Sequence, residues 1–169
     1  MQFKPVPEPP ADPLATVESV RAALPPEPDP AIDCCARVIA ETAVESREVA
    51  SEWITFLRAL ELAVREPAGY RRETGDGVVD PKPLGDAFRR RVAGADAVLS
   101  ALEAESEPRT APALFDRLED GDELPRSRGR RDDEGFAAHW TARIERILEW
   151  GVAFERVERV DGSYRAMTD

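Results

Sequence analysis

Few residues in this chain have the types and spacing that chemistry needs, and each of them reads more simply as structure. Cys34 and Cys35 are adjacent. A disulfide between neighbours is strained, and on a helix their side chains diverge by about 100°. They read as small half-buried residues before they read as a redox or metal pair. His139 is the only histidine, which excludes a multi-histidine metal site, and no nucleophile is spaced to pair with it. Asp132 and Asp133 have no partner base and no glycine-rich cradle, so they give no basis for general acid/base work. Arg126, Arg128, Arg130 and Arg131 form the one strongly basic loop, but Asp132, Asp133 and Glu134 follow at once. That stretch reads as a solvated loop neutralising its own acidic neighbour, with a phosphate contact as the alternative. Arg89, Arg90 and Arg91 span a wide arc of one helical turn and read as a snorkelling face. No catalytic signature is present; the expectation is a non-enzymatic chain with no cofactor and no metal.

The chain has 169 residues, enough for one medium domain or two small ones with a real core, since a chain of this size buries roughly 70% of its unfolded surface. Lys+Arg is 23 against Asp+Glu 34, a net charge of −11, and this weighs against a generic polyanion-binding surface. Only Lys4 and Lys82 are lysines. Pervasive acid with almost no lysine resembles proteins of salt-loving archaea, whose short, strongly hydrated carboxylates keep a surface wetted in concentrated salt. No apolar run approaches the ~20 residues of a membrane span, and the N-terminus is proline-rich instead of signal-like, so a cytoplasmic protein is expected.

Nine of the fifteen prolines lie in the first thirty residues, and proline blocks helix. Residues 1–13 are expected to be a disordered tail. Leu14, Val17, Val20 and Leu24 then recur at helical spacing until the prolines from Pro25 to Pro30 stop the helix. A second helix is expected from Asp33, with Ile32, Cys35, Val38, Ile39 and Thr42 on its apolar face. Ser46 suits the N-cap of a third helix reaching about Glu61, with Val49, Trp53, Phe56, Leu57 and Leu60 as core stripe. Leu62–Arg65 and Tyr70–Arg72 then read as a hairpin about a Pro67-Ala68 turn.

A long helical pattern runs from Pro83 to about Ser106, and a short helix covers Ala113–Leu118. From about Asp133 the grammar repeats. Phe136, Trp140, Ile144, Ile147 and Leu148 share a helix face, Gly151 stands where a left-handed cap would end it, and Asp161-Gly162 is a hairpin turn signal. Aligning Trp53 with Trp140 also places Leu57 on Ile144 and Leu60 on Ile147, and each helix leads to a Tyr-Arg pair, Tyr70-Arg71 and Tyr164-Arg165. This pattern argues for an internal duplication. The domains expected are 14–80 and, with a helical linker, 81–169.

Residues 46–73, SREVASEWITFLRALELAVREPAGYRRE, resemble the recognition helix and wing of archaeal winged-helix transcription regulators, and residues 134–166 resemble a second, more divergent copy. The resemblance implies a mainly α fold of two helix-turn-helix modules with short β-hairpin wings. In that family the third helix enters the DNA major groove and the wing touches phosphate or minor groove. Carried over by position, it implies that Arg47, Ser51, Thr55 and Arg58 face DNA and that Arg71 and Arg72 sit on the wing. Glu48 and Glu52 on the same face oppose phosphate.

Two functions follow, one a DNA-binding transcription regulator adapted to high salt, the other an acidic winged-helix adaptor for a partner protein. The sequence leans narrowly to DNA, because four arginines gather on one side of the first module and the Debye length falls to roughly 3 Å in 1 M salt. A homodimer is compatible with either.

Overall fold

The computed structural model describes residues 2–73, 80–124 and 133–168. They form two compact units, Met1–Val92 and Ala93–Asp169, and both are mainly helical.

In the first unit, helices α1 (Pro13–Ala23), α2 (Cys34–Glu41) and α3 (Arg47–Ala59) precede a hairpin of β1 (Ala63–Glu66) and β2 (Gly69–Arg72), and α4 (Pro81–Arg91) closes it. Each helix begins where a short polar side chain takes up an otherwise orphaned N–H: Asp12, Asp33, Ser46 and Asp80 accept from Ala15, Ala36, Val49 and Lys82. The apolar faces then meet. Val17, Val20 and Leu24 from α1, Val38 from α2, Phe88 from α4 and the α3 stripe of Trp53, Ile54, Phe56 and Leu57 are all buried. Phe56 lies at the centre, edge-on to Trp53 and to Phe88 at 6.1 and 6.2 Å between ring centroids.

The second unit repeats this order with α5 (Ala95–Glu103), α6 (Ala111–Asp120), α7 (Asp133–Ala153), β3 (Val157–Val160) and β4 (Ser163–Ala166). Its core holds Leu99, Leu102, Leu114, Leu118, Ile144, Ile147 and Trp150, with Trp150 stacked on Phe154 at 5.5 Å. Asp161 and Gly162 both have positive φ, 48° and 80°, as a tight two-residue hairpin turn requires. A further residue bonds to the backbone of each hairpin, but it forms a bridge only in the second. Arg109 and Tyr164 exchange both backbone bonds at 2.8 Å, whereas Pro25, which has no N–H to give, only accepts from Arg72 at 2.9 Å.

Several expectations change. Residues 2–12 carry no helix, as their prolines dictate, yet they are not a loose tail. Phe3 and Val6 are buried, and the Phe3 N–H donates to the Arg91 carbonyl at 2.7 Å. The long helix from 83 to 106 is two helices, broken where Val92 turns extended and Gly94 takes φ 87°. That break is also the boundary between units, so α4 belongs to the first unit instead of linking to the second. Val49 is 40% exposed, and the stripe uses Ala50 and Ile54 in its place. Cys34 is the buried cysteine and Cys35 the half-buried one. Gly151 does not end α7, which runs on to Ala153; the left-handed residue is Glu155, φ 59°.

Candidate recognition surface

The two units correspond residue for residue from the end of the third helix through the hairpin, at a constant separation of 94 positions. Ala63 matches Val157 and Gly69 matches Ser163, and the pairings Arg65 with Tyr70 and Arg159 with Tyr164 recur. Outside the strands the match holds as well. Glu61 and Glu155 both take positive φ, 65° and 59°, and the bonds from Leu62 N–H to Leu57 and from Arg156 N–H to Gly151 are equivalent, at 2.9 and 2.8 Å. The expected alignment of Trp53 with Trp140 is therefore seven residues short. Seven residues are two helical turns, so that shift keeps the apolar face and periodicity alone cannot detect it.

The six residues that the resemblance places on DNA lie on or beside α3 and β2, but four of them already have work inside the fold. Arg47 forks onto Asp33, the N-cap of α2, through Nη1 to Oδ2 at 2.9 Å and Nη2 to Oδ1 at 3.2 Å. That pairing holds the Asp33 carboxyl below its ordinary value and raises the Arg47 guanidinium. Arg58 lies over the Phe3 ring at 5.2 Å, and Arg91 lies over the same ring at 5.1 Å. Arg71 is drawn to Glu66 at 3.2 Å and to Glu73 at 3.3 Å. Arg72 Nη1 donates to the Leu24 carbonyl at 2.7 Å and to Ala22 at 3.3 Å, so it caps the C-terminal end of α1. Ser51 is exposed and Thr55 half-buried.

In the second unit the wing is pinned to its helix by a carboxylate. Glu149, in the last turns of α7, accepts from Arg159 Nε at 3.1 Å and from the Tyr164 hydroxyl at 2.6 Å, and a further Arg159 N–H reaches its other oxygen. Arg159 is the main cause that lowers the Glu149 carboxyl from its ordinary 4.5, with Tyr164 adding to it against partial burial. Burial is the main cause that raises the Tyr164 phenol, followed by its bond to Glu149. A folded value below the unfolded one stabilises the fold above pH 4.5, and that contribution is lost as pH falls through the folded value. Carbon-detected titration of the Glu149 carboxyl is thus expected to give a midpoint below 4.5; a midpoint at or above it would show that the pin is not closed in solution.

The remaining chemistry-bearing residues are structural here. Trp53 and Trp140 are buried core residues, and His139 is exposed with its ring edge-on to Trp140 at 6.0 Å. Burial raises the Cys34 thiol, with Cys35 adding to it, which disfavours a reactive thiolate. Arg90 and Arg91 pair with Glu61 at 3.1 and 3.3 Å. Among the described residues no group of three or more His, Cys, Asp or Glu side chains could hold a metal ion, and no helix is long and apolar enough to cross a membrane. The basic loop from Arg126 to Arg131 lies outside the described residues.

Sequence reasoning passed over one feature. A groove of about 590 Å³ opens between the first hairpin and the segment leading into α2, with Arg65 and Tyr70 in its lining. The signal was present, since Arg65 and Arg159 stand equally far from their hairpin turns, but it becomes visible only once the 94-residue register is known.

Three helices followed by a two-stranded wing, twice over, define a double winged-helix protein. The family model for the halobacterial double winged helix domain matches residues 1–169, and the chain belongs to that family. Neither the curated proteins nor the solved structures contain a match.

Proposed function

We propose that this chain is a non-enzymatic recognition protein that works as an adaptor, docking a partner protein in concentrated salt. The observation that carries this reading is the internal commitment of Arg47, Arg58, Arg71 and Arg72. A reader of duplex DNA needs several free cations along helix and wing, because phosphate neutralisation supplies most of the non-specific affinity. On this helix face Glu48 and Glu52 remain, and the overall charge is −11.

A second reading, a DNA-binding transcription regulator using Arg47, Ser51, Thr55, Arg58, Arg71 and Arg72, is favoured by the winged-helix fold and by the exposure of the Arg47–Asp33 pair. Both partners of that pair are more than half exposed, and a phosphate can compete for such a guanidinium. Cross-linking of the intact protein in its native salt, followed by both sequencing of bound DNA and identification of bound protein, separates the two. The adaptor reading expects a defined protein partner and DNA occupancy at background. Occupancy at discrete sites without a protein partner overturns it and supports the regulator.

A further inference from the structure

The second unit acts as a template for the first. There, Arg159 and Tyr164 face each other across the hairpin and share the carboxylate of Glu149. In the first unit Arg65 and Tyr70 face each other in the same register, but the position 94 residues before Glu149 is Thr55, short and uncharged. Among the described residues the Arg65 guanidinium and the Tyr70 hydroxyl have no hydrogen bond or ion pair, in contrast to the arginines on either side of them. The donors that one wing spends on an internal carboxylate are thus unspent on the other.

The surroundings of this pair say what could take the empty place. Arg65 is exposed and Tyr70 half-buried, and both line the groove, with Pro30, Ile32, Pro67 and Ala68 as apolar walls. Gly69 has φ 137°, and a Cβ there would stand 3.6 Å from the Asp29 carbonyl oxygen, so the hairpin tip rests closely on the chain opposite. Of the acids lining the groove, Asp33 is held by Arg47 and Glu66 by Arg71, while Asp29 accepts from the Ala31 N–H. The exposed Asp29 leaves the groove with no net positive field for a polyanion. A single carboxylate flanked by apolar side chains matches both the donor pair and the walls.

We infer that this groove docks a segment of a partner protein that places a glutamate side chain on Arg65 and Tyr70, the donors whose counterparts hold Glu149 in the second unit, and an apolar neighbour against Ile32 and Pro67. The inference rests on the adaptor reading and names the chemistry of its partner.

The test uses the full chain and capped tripeptides as probes, Ac-Val-Glu-Val-NH2 and its glutamine analogue, with side-chain N–H and aromatic NMR signals as the readout. The glutamate peptide should shift the Arg65 Nε–H and Tyr70 ring signals, and the glutamine peptide should bind about tenfold more weakly or worse. Arg65→Gln should lose the binding with its amide spectrum otherwise intact. Thr55→Glu should also lose it, because it supplies the internal carboxylate, and its melting temperature should rise. Equal binding of the two peptides, no binding of either at millimolar concentration, or undiminished binding by Thr55→Glu overturns the assignment. Stronger displacement of these signals by a DNA duplex than by the glutamate peptide does so as well, and points to phosphate. If cross-linking captures a partner protein equally well with Arg65→Gln and Thr55→Glu, the groove assignment fails while the adaptor reading stands. If it captures DNA alone, the adaptor reading fails too.

Discussion

Replacing Gly151 with leucine, the residue that its counterpart Leu57 supplies in the first unit, is expected to destabilise the second unit by about 3 kcal/mol or more. A Cβ at position 151 would stand 2.7 Å from Val157 Cγ2, closer than real Cβ atoms approach, and in ordinary contact with Leu99 Cδ2 at 3.6 Å, which leaves no room for a longer side chain on that side. Alanine at this position sets two effects against each other. It relieves the ~1 kcal/mol that glycine costs a helix interior, but overpacking costs roughly 1–3 kcal/mol, so the net effect is destabilising. The first unit shows the compensation. Its pair is Leu57 with Ala63, the second unit's is Gly151 with Val157, and all four are buried. Large on helix with small on strand has become small on helix with large on strand. The double variant Gly151→Leu with Val157→Ala should therefore recover about 1–2 kcal/mol relative to the sum of the single effects. Urea unfolding of the three variants checks it, and strictly additive losses would show that the pair does not compensate.

The same pair explains how much of the fold was legible. Helix starts were written in single residues, because Asp33 and Ser46 each take an N–H that the helix cannot satisfy itself. The hairpins were written in their turns, Pro67-Ala68 and Asp161-Gly162. The duplication was legible as well, through the Tyr-Arg pairs, but its helix register was not, since an apolar stripe looks the same two turns along. Gly151 was misread for a related reason. Glycine near a helix end suits either a left-handed cap or a close approach, and only the position of Val157 decides between them. For the candidate surface, spacing placed Arg71 and Arg72 on the wing correctly but carried no information about what they touch. Arg72 reaches the carbonyls of Ala22 and Leu24, fifty and forty-eight positions away, and nothing local foretells that contact. Arg65, which has no hydrogen bond or ion pair among the described residues, stands one register position along the hairpin from Arg71, which is doubly paired; composition treats the two alike.

The N-terminal segment is where burial overrode a compositional reading, and Phe3→Ala is expected to cost the first unit about 3 kcal/mol. Phe3 is 6% exposed, its ring lies under two guanidinium groups, Arg58 and Arg91 at 5.2 and 5.1 Å, and its backbone pairs with Val92 in a parallel bridge. Holding a chain terminus in place costs roughly 1–2 kcal/mol of backbone entropy per residue, which is why a proline-rich end with few apolar residues reads as a loose tail. Here the prolines work the other way. Pro5, Pro7, Pro9 and Pro10 restrict the unfolded chain, so less freedom is lost on docking than for an ordinary segment. Two apolar anchors, Phe3 and Val6, can then hold it. The loss on Phe3→Ala is capped, because once the remaining contacts fall below the ordering cost the segment simply releases and the rest of the unit stays folded. Two measurements together test this: the urea midpoint of the first unit should fall, and the residue 3 N–H, which donates to Arg91 at 2.7 Å, should exchange as in a free peptide. Release would also uncover Arg58, one of the cations that the regulator reading needs on α3. A Phe3→Ala protein that gains DNA retention over the parent would give that reading new support, and one that still retains none would show that freeing this arginine is not enough to make α3 a DNA reader.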